Sequence, residues 1–200
     1  MKLGDVRAIQ YGDVLVDGER WPNSIHAIEH SEGRVLVDTG MIDSTPELDA
    51  EWGVRYDASL IPRDVVCVVN THLHFDHCGG NRLFAGTPIH VQRVEREAAR
   101  APGYTIPEWV EFDGATYVEH DGEAEILPGV RLLPAPGHTA GHQIVVVETD
   151  EGPVVLGGDV GVSFEELERG DTPGQQLVLE LAAPTYLAHE AEVRVPHLSS

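Results

Sequence analysis

The stretch Asn70-Thr71-His72-Leu73-His74-Phe75-Asp76-His77 sets three histidines and one aspartate between positions 72 and 77. Imidazole and carboxylate are the groups that hold zinc and its first-row neighbours. The β-branched run Val65 to Val69 leads straight into this stretch and reads as a strand buried on both faces. A loop at the end of a buried strand is where a rigid scaffold presents functional side chains.

The same arrangement recurs downstream. Val130 to Leu133 runs into Pro136-Gly137-His138-Thr139-Ala140-Gly141-His142. Val154 to Leu156 runs into Gly157-Gly158-Asp159, and Tyr186 to Ala188 runs into His189. In an extended segment residues i and i+2 point the same way, so His72 and His74 are expected to grip one ion together. With His138 they make a three-histidine set that leaves a fourth position for water. Asp76, His77 and His189 are expected to hold a second ion. Asp159 is the natural bridge, since its two oxygens can serve two cations. Asp76 is also the expected proton shuttle to a leaving group.

The other candidates read differently. Asp38, in Leu36-Val37-Asp38-Thr39-Gly40, either orients a ligand histidine or closes a turn. His142 is expected to support the site rather than bind metal. His26, His30, His90 and His120 read as surface or hydrogen-bonded histidines. His197 rivals His189 but lies near a frayed end. Cys67 reads as a buried small hydrophobe, and Cys78 either packs likewise or touches the metal shell.

Composition narrows the function classes. The chain has 200 residues, 42% of them apolar, and a net charge of −21. One domain over 1–200 is expected, with a β-rich core. The negative charge makes nucleic acid and anionic membranes poor partners. No apolar run reaches the ~18 residues of a membrane span, and residues 1–20 lack a signal-peptide core, so a cytoplasmic protein is expected. Monomer and homodimer both remain open.

Before the histidine cluster, strands are expected at 14–16, 25–28 and 35–37, with a hairpin turn at Asp17-Gly18 and a helix opening at Thr45-Pro46. After it, a short helix is expected at 81–85, a strand at 88–91 and a helix at 92–101. Residues 102–114 read as a loop whose aromatic residues, Tyr104, Trp109 and Phe112, offer a substrate wall. Strands at 116–118, 130–133, 143–148, 154–156 and 186–188 and helices at 164–169 and 173–183 complete the reading.

These residues resemble the metallo-β-lactamase superfamily, whose pattern His-x-His-x-Asp-His, Gly-His, Asp, His falls here on His72, His74, Asp76, His77, His138, Asp159 and His189. The resemblance implies an α+β fold, a four-layer αββα sandwich of two facing mixed sheets with outer helices. Within the superfamily the chain is most similar to N-acyl homoserine lactone lactonases, through residues 72–81, Thr87 to Arg93 and Pro128 to Gln143. That likeness implies two zinc ions, with iron, cobalt or manganese as other possibilities, and a small-molecule substrate opened by a hydroxide. In those enzymes a tyrosine follows the bridging aspartate by three residues and donates to the substrate carbonyl. Val162 stands there in this chain, and Tyr104 is the candidate replacement. The alternatives are hydrolysis of another ester, a thioester or a β-lactam, and metal binding or redox chemistry without hydrolysis.

Overall fold

The structure, a computed structural model, describes residues 1–198. The chain opens with two long strands, β1 (Val6–Val16) and β2 (Glu19–His30), joined at Asp17 and Gly18, both with positive φ. That is the tight hairpin the Asp-Gly pair favours. β3 (Gly33–Val37) pairs back on β2. α1 (Pro46–Trp52) follows, capped by the Thr45 side chain accepting from the Leu48 N–H. β4 (Arg55–Tyr56), β5 (Cys67–Val69), β6 (Pro88–Gln92) and β7 (Thr116–His120) complete the first sheet, ordered β4-β1-β2-β3-β5-β6-β7. Its β3, β5, β6 and β7 run parallel and the rest is antiparallel.

The second sheet holds β8 (Ala124–Leu127), β9 (Val130–Pro134), β10 (Gln143–Thr149), β11 (Gly152–Leu156) and β12 (Thr185–Tyr186), ordered β12-β11-β10-β9-β8. Only its β11–β12 pair is parallel. The helices between strands are α2 (Phe75–Cys78), α3 (Arg93–Ala98), α4 (Pro107–Val110), α5 (Phe164–Leu167) and α6 (Pro173–Leu181).

Period-two alternation decides the layering. Val35, Val37, Cys67 and Val69 of the first sheet pack against Val130, Leu132, Val145, Val147, Val154 and Leu156 of the second. The intervening residues face outward. Leu36, Val68 and Ile89 lie with Met41, Phe84 and Trp109 on the outer side of the first sheet. Ile144, Val146 and Val155 lie under Phe164, Leu167 and Val178 of α5 and α6. The result is the four-layer αββα sandwich.

The structure corrects several boundaries. The histidine cluster is not extended throughout, because Phe75–Cys78 turns into a one-turn helix. Residues 107–110 of the expected loop form α4, started by Pro107 at its first turn. β8 was not expected, and β1 begins at Val6, with an irregularity between Gln10 and Gly12 that breaks its alternation. β5 starts only at Cys67, and α3 is shorter than the composition suggested. α6 stops at Leu181, where Ala182 takes a left-handed conformation. The last strand is Thr185–Tyr186 rather than 186–188.

Candidate metal centre

Every proposed ligand sits just past the end of a strand, at one rim of the sandwich. Residues 70–77 follow β5, His138 follows β9, Asp159 follows β11 and His189 follows β12, and Asp38, which follows β3, joins them at this rim. The approach is close. Gly158, at φ +53, carries the chain past Thr71, where a Cβ would stand 2.6 Å from the Thr71 hydroxyl oxygen. That contact sets Asp159 beside the histidine cluster.

The donor atoms converge in three overlapping sets: His72, His74 and His138; His72, His77 and Asp159; Asp76, His77 and His189. His74 Nδ1 lies 3.0 Å from His72 Nε2 and 3.0 Å from His138 Nε2. One ring nitrogen cannot serve both neighbours with one proton, whereas three lone pairs facing one point suit a shared cation. An Asp159 oxygen lies 3.3 Å from both His77 Nε2 and His189 Nε2, and 3.6 Å from His138 Nε2. Asp76 stands 3.7 Å from His77 Nε2 and 3.6 Å from His189 Nε2.

Neighbours fix which nitrogen each ring offers. His77 Nδ1 is 2.8 Å from an Asp38 oxygen, and His189 Nδ1 is 3.0 Å from the Pro22 carbonyl oxygen. Each Nδ1–H then donates outward and leaves Nε2 facing the centre. Asp38, at φ 60, also accepts from the Thr71 N–H and hydroxyl, each at 2.8 Å. It therefore orients a candidate ligand. His142 is fully buried, and its Nε2 accepts from the Asp159 N–H at 3.2 Å.

The electrostatics call for positive charge. Burial opposes a proton on His77, yet Asp159, Asp76 and Asp38 outweigh it and hold its pKa well above the ordinary value. Burial likewise opposes charge on His189, but Asp159 and Asp76 raise it to about 9. Across the site, burial and then His77 push His72 well down, and burial and then His138 push His74 to about 4. His77 Nε2 and Asp159 Oδ1 are buried with no hydrogen-bond partner among the described residues. Orphaned buried atoms of opposite preference at one point fit a bound cation.

The centre opens onto a cavity of about 650 Å³. Val14, Val16, Trp21, Leu48, Trp52, Phe75 and Ile106 supply its apolar wall, and Glu47, Glu51, Asp76 and Asp159 are its acids. Among the described residues no lysine or arginine lines it. Val162 and Tyr104 both border it. The Tyr104 hydroxyl donates to Glu95. Trp109 is buried in the core and does not reach the cavity, contrary to the expected aromatic wall. The wall contributed by Trp21 and α1 was missed, since nothing local in the sequence places those residues beside the histidines. Cys78 is buried, and its thiol donates to the Leu73 carbonyl oxygen.

The model of the metallo-beta-lactamase superfamily matches residues 18–192. The chain belongs to this superfamily. Among the superfamily's curated members, it is 35% identical over 164 residues to an N-acyl homoserine lactonase of a Bacillus species, covering 72% of this chain and 65% of that protein. The N-acyl homoserine lactonase AiiA of Bacillus thuringiensis subsp. kurstaki is 34% identical with the same coverage. The chain thus spans 65% of the length of these relatives. In structure it superposes with a TM-score of 0.75 and 26% identity on an N-acyl homoserine lactone hydrolase with N-hexanoyl-L-homoserine bound at its catalytic metal centre, covering 96% of this chain and 95% of the other. A B. thuringiensis AiiA variant with N-decanoyl-L-homoserine at its active site gives a TM-score of 0.73 at 26% identity, with the same coverage.

Proposed function

We propose that this superfamily member is a dinuclear metal-dependent hydrolase that opens N-acyl homoserine lactones. The observation that carries the reading is a seven-residue histidine and aspartate set opening onto an apolar cavity with acids and no cation at its wall. His72, His74 and His138 would hold one ion and Asp76, His77 and His189 the other, with Asp159 beside both sets. Zinc suits this nitrogen-rich set, as does another first-row divalent metal. When bound, such ions supply Lewis acidity that polarises a carbonyl and makes water nucleophilic near neutral pH.

The chain's own residues do the rest. Trp21, Leu48, Trp52, Phe75 and Ile106 take an acyl chain and exclude water beside the carbonyl. Asp76, which borders the cavity, carries a proton to the departing alkoxide oxygen in this reading. Asp38 and the Pro22 carbonyl hold His77 and His189 in the required tautomers. Glu47 and Glu51 repel anions at the wall. A lactone is neutral, whereas β-lactams and glutathione thioesters carry carboxylates. Ring opening itself creates a carboxylate, so the same acids favour product departure.

The test is one substrate panel with metal analysis. We expect about two ions per chain and hydrolysis of homoserine lactones, with kcat/KM rising with acyl length. Carboxylate-bearing β-lactams and glutathione thioesters should turn over far more slowly. Two bound ions with a preference for either anionic class would overturn the lactone assignment.

A further inference from the structure

Glu95, on α3, is fully buried, yet it belongs to none of the metal-ligating sets. A buried carboxylate is costly unless its oxygens are hydrogen-bonded. Its donors come from three separate segments. The Leu73 N–H donates at 2.8 Å, from between His72 and His74. The Thr139 hydroxyl donates at 2.7 Å, beside His138. The Tyr104 hydroxyl donates too, while its ring lies 5.0 Å from the His74 ring. The turn carrying His138 is pressed onto the same helix, since a Cβ on Gly141 would stand 2.2 Å from the Glu95 nitrogen.

From this convergence we infer that Glu95 is a positioning residue that locks His74 against His138 and so sets the affinity of the three-histidine subsite. The other subsite has separate supports, Asp38 behind His77 and the Pro22 carbonyl behind His189. Loosening Glu95 therefore acts on one ion and spares the other. The inference rests on the proposed two-ion reading.

Metal-free protein is titrated with cobalt(II), following bound metal and visible absorption, with melting recorded alongside. Wild type should take up two ions. Glu95→Ala should bind one ion 10–100-fold more weakly, the range for losing a partner behind a ligand, and alter only that ion's spectrum. Glu95→Gln should restore most of the affinity. Its carbonyl oxygen still accepts from Leu73 and Tyr104, and the Thr139 hydroxyl can turn to accept from its amide. Where Glu95→Ala fails to fold, Thr139→Val removes one donor and should weaken the same ion. Two ions bound by Glu95→Ala, or by Thr139→Val in its place, with wild-type affinity and spectrum but a lower melting point would overturn the inference and leave Glu95 a core residue. Wild type that binds at most one cobalt overturns instead the two-ion reading beneath it.

Discussion

At the scale of single residues, the candidate site is marked by buried atoms that have no hydrogen-bond partner among the described residues. Asp159 Oδ1 and His77 Nε2 are the clearest cases. His189 stands beside them, its Nε2 3.3 Å from Asp159 and 3.6 Å from Asp76, whereas His197 is exposed and contributes its backbone N–H to Glu168. His189→Ala should therefore lose one ion and nearly all turnover, while His197→Ala behaves as wild type; metal analysis and a lactone assay on both variants check this. Val162 borders the cavity without a hydroxyl. An oxyanion donor is typically worth about 10²–10³ in rate. Val162→Tyr should raise lactone turnover, up to about that factor if the hydroxyl reaches the carbonyl. Unchanged rates in a variant with full metal and wild-type melting would show that the position does not face the reacting carbonyl. The convergence of the candidate ligand residues was legible in the sequence because each follows an apolar run. The Tyr104–Glu95 contact was not, because it joins two side chains through the fold and leaves no periodic trace.

At the scale of elements, local signals carried most of the reading. Short apolar runs marked the strands, and the Thr45-Pro46 pair marked the start of α1. The elements that escaped notice lack such signals. α2 is a single turn of Phe-Asp-His-Cys, weak helix formers held by their surroundings. β8 ends against Pro128-Gly129 and is held by pairing with β9. α6 also props the site. Thr172 caps it by accepting from the Gln175 N–H, and a Cβ on Gly137, beside His138, would stand 2.5 Å from the Thr172 hydroxyl oxygen. Thr172→Ala should cost about 1 kcal/mol in urea unfolding, the usual value of a lost cap. A cost near zero would mean that the Gly137 turn, rather than the cap, fixes this end of the helix.

At the scale of the whole molecule, acid should act through buried histidines. Burial, and next the charge of His77, hold His26 at about 4 against an ordinary 6.5. Below 6.5 the unfolded chain takes up a proton that the native ring refuses until about 4. This stability is thus complete above the unfolded value and is lost as pH falls through that window, at up to about 1.4 kcal/mol per pH unit for one group. His26→Phe, keeping a ring against Tyr186, should flatten the acid limb of stability measured by urea melts between pH 7 and 4.5. An unchanged slope would assign the acid sensitivity to other groups.

The site gathers its residues from distant stretches of chain. His74 and His138 are 64 positions apart, and His189 rests on a carbonyl 167 positions away. Contacts of such span close late in folding, because the loop between them must be ordered first. On the proposed two-ion reading, the metal pair is a clasp that only the finished sandwich can fasten. Its release becomes a clock: the rate at which a strong chelator strips metal should track how often the two sheets part at that rim, and should quicken with the same urea that speeds unfolding. Stripping that ignores urea would place the opening in the loops alone.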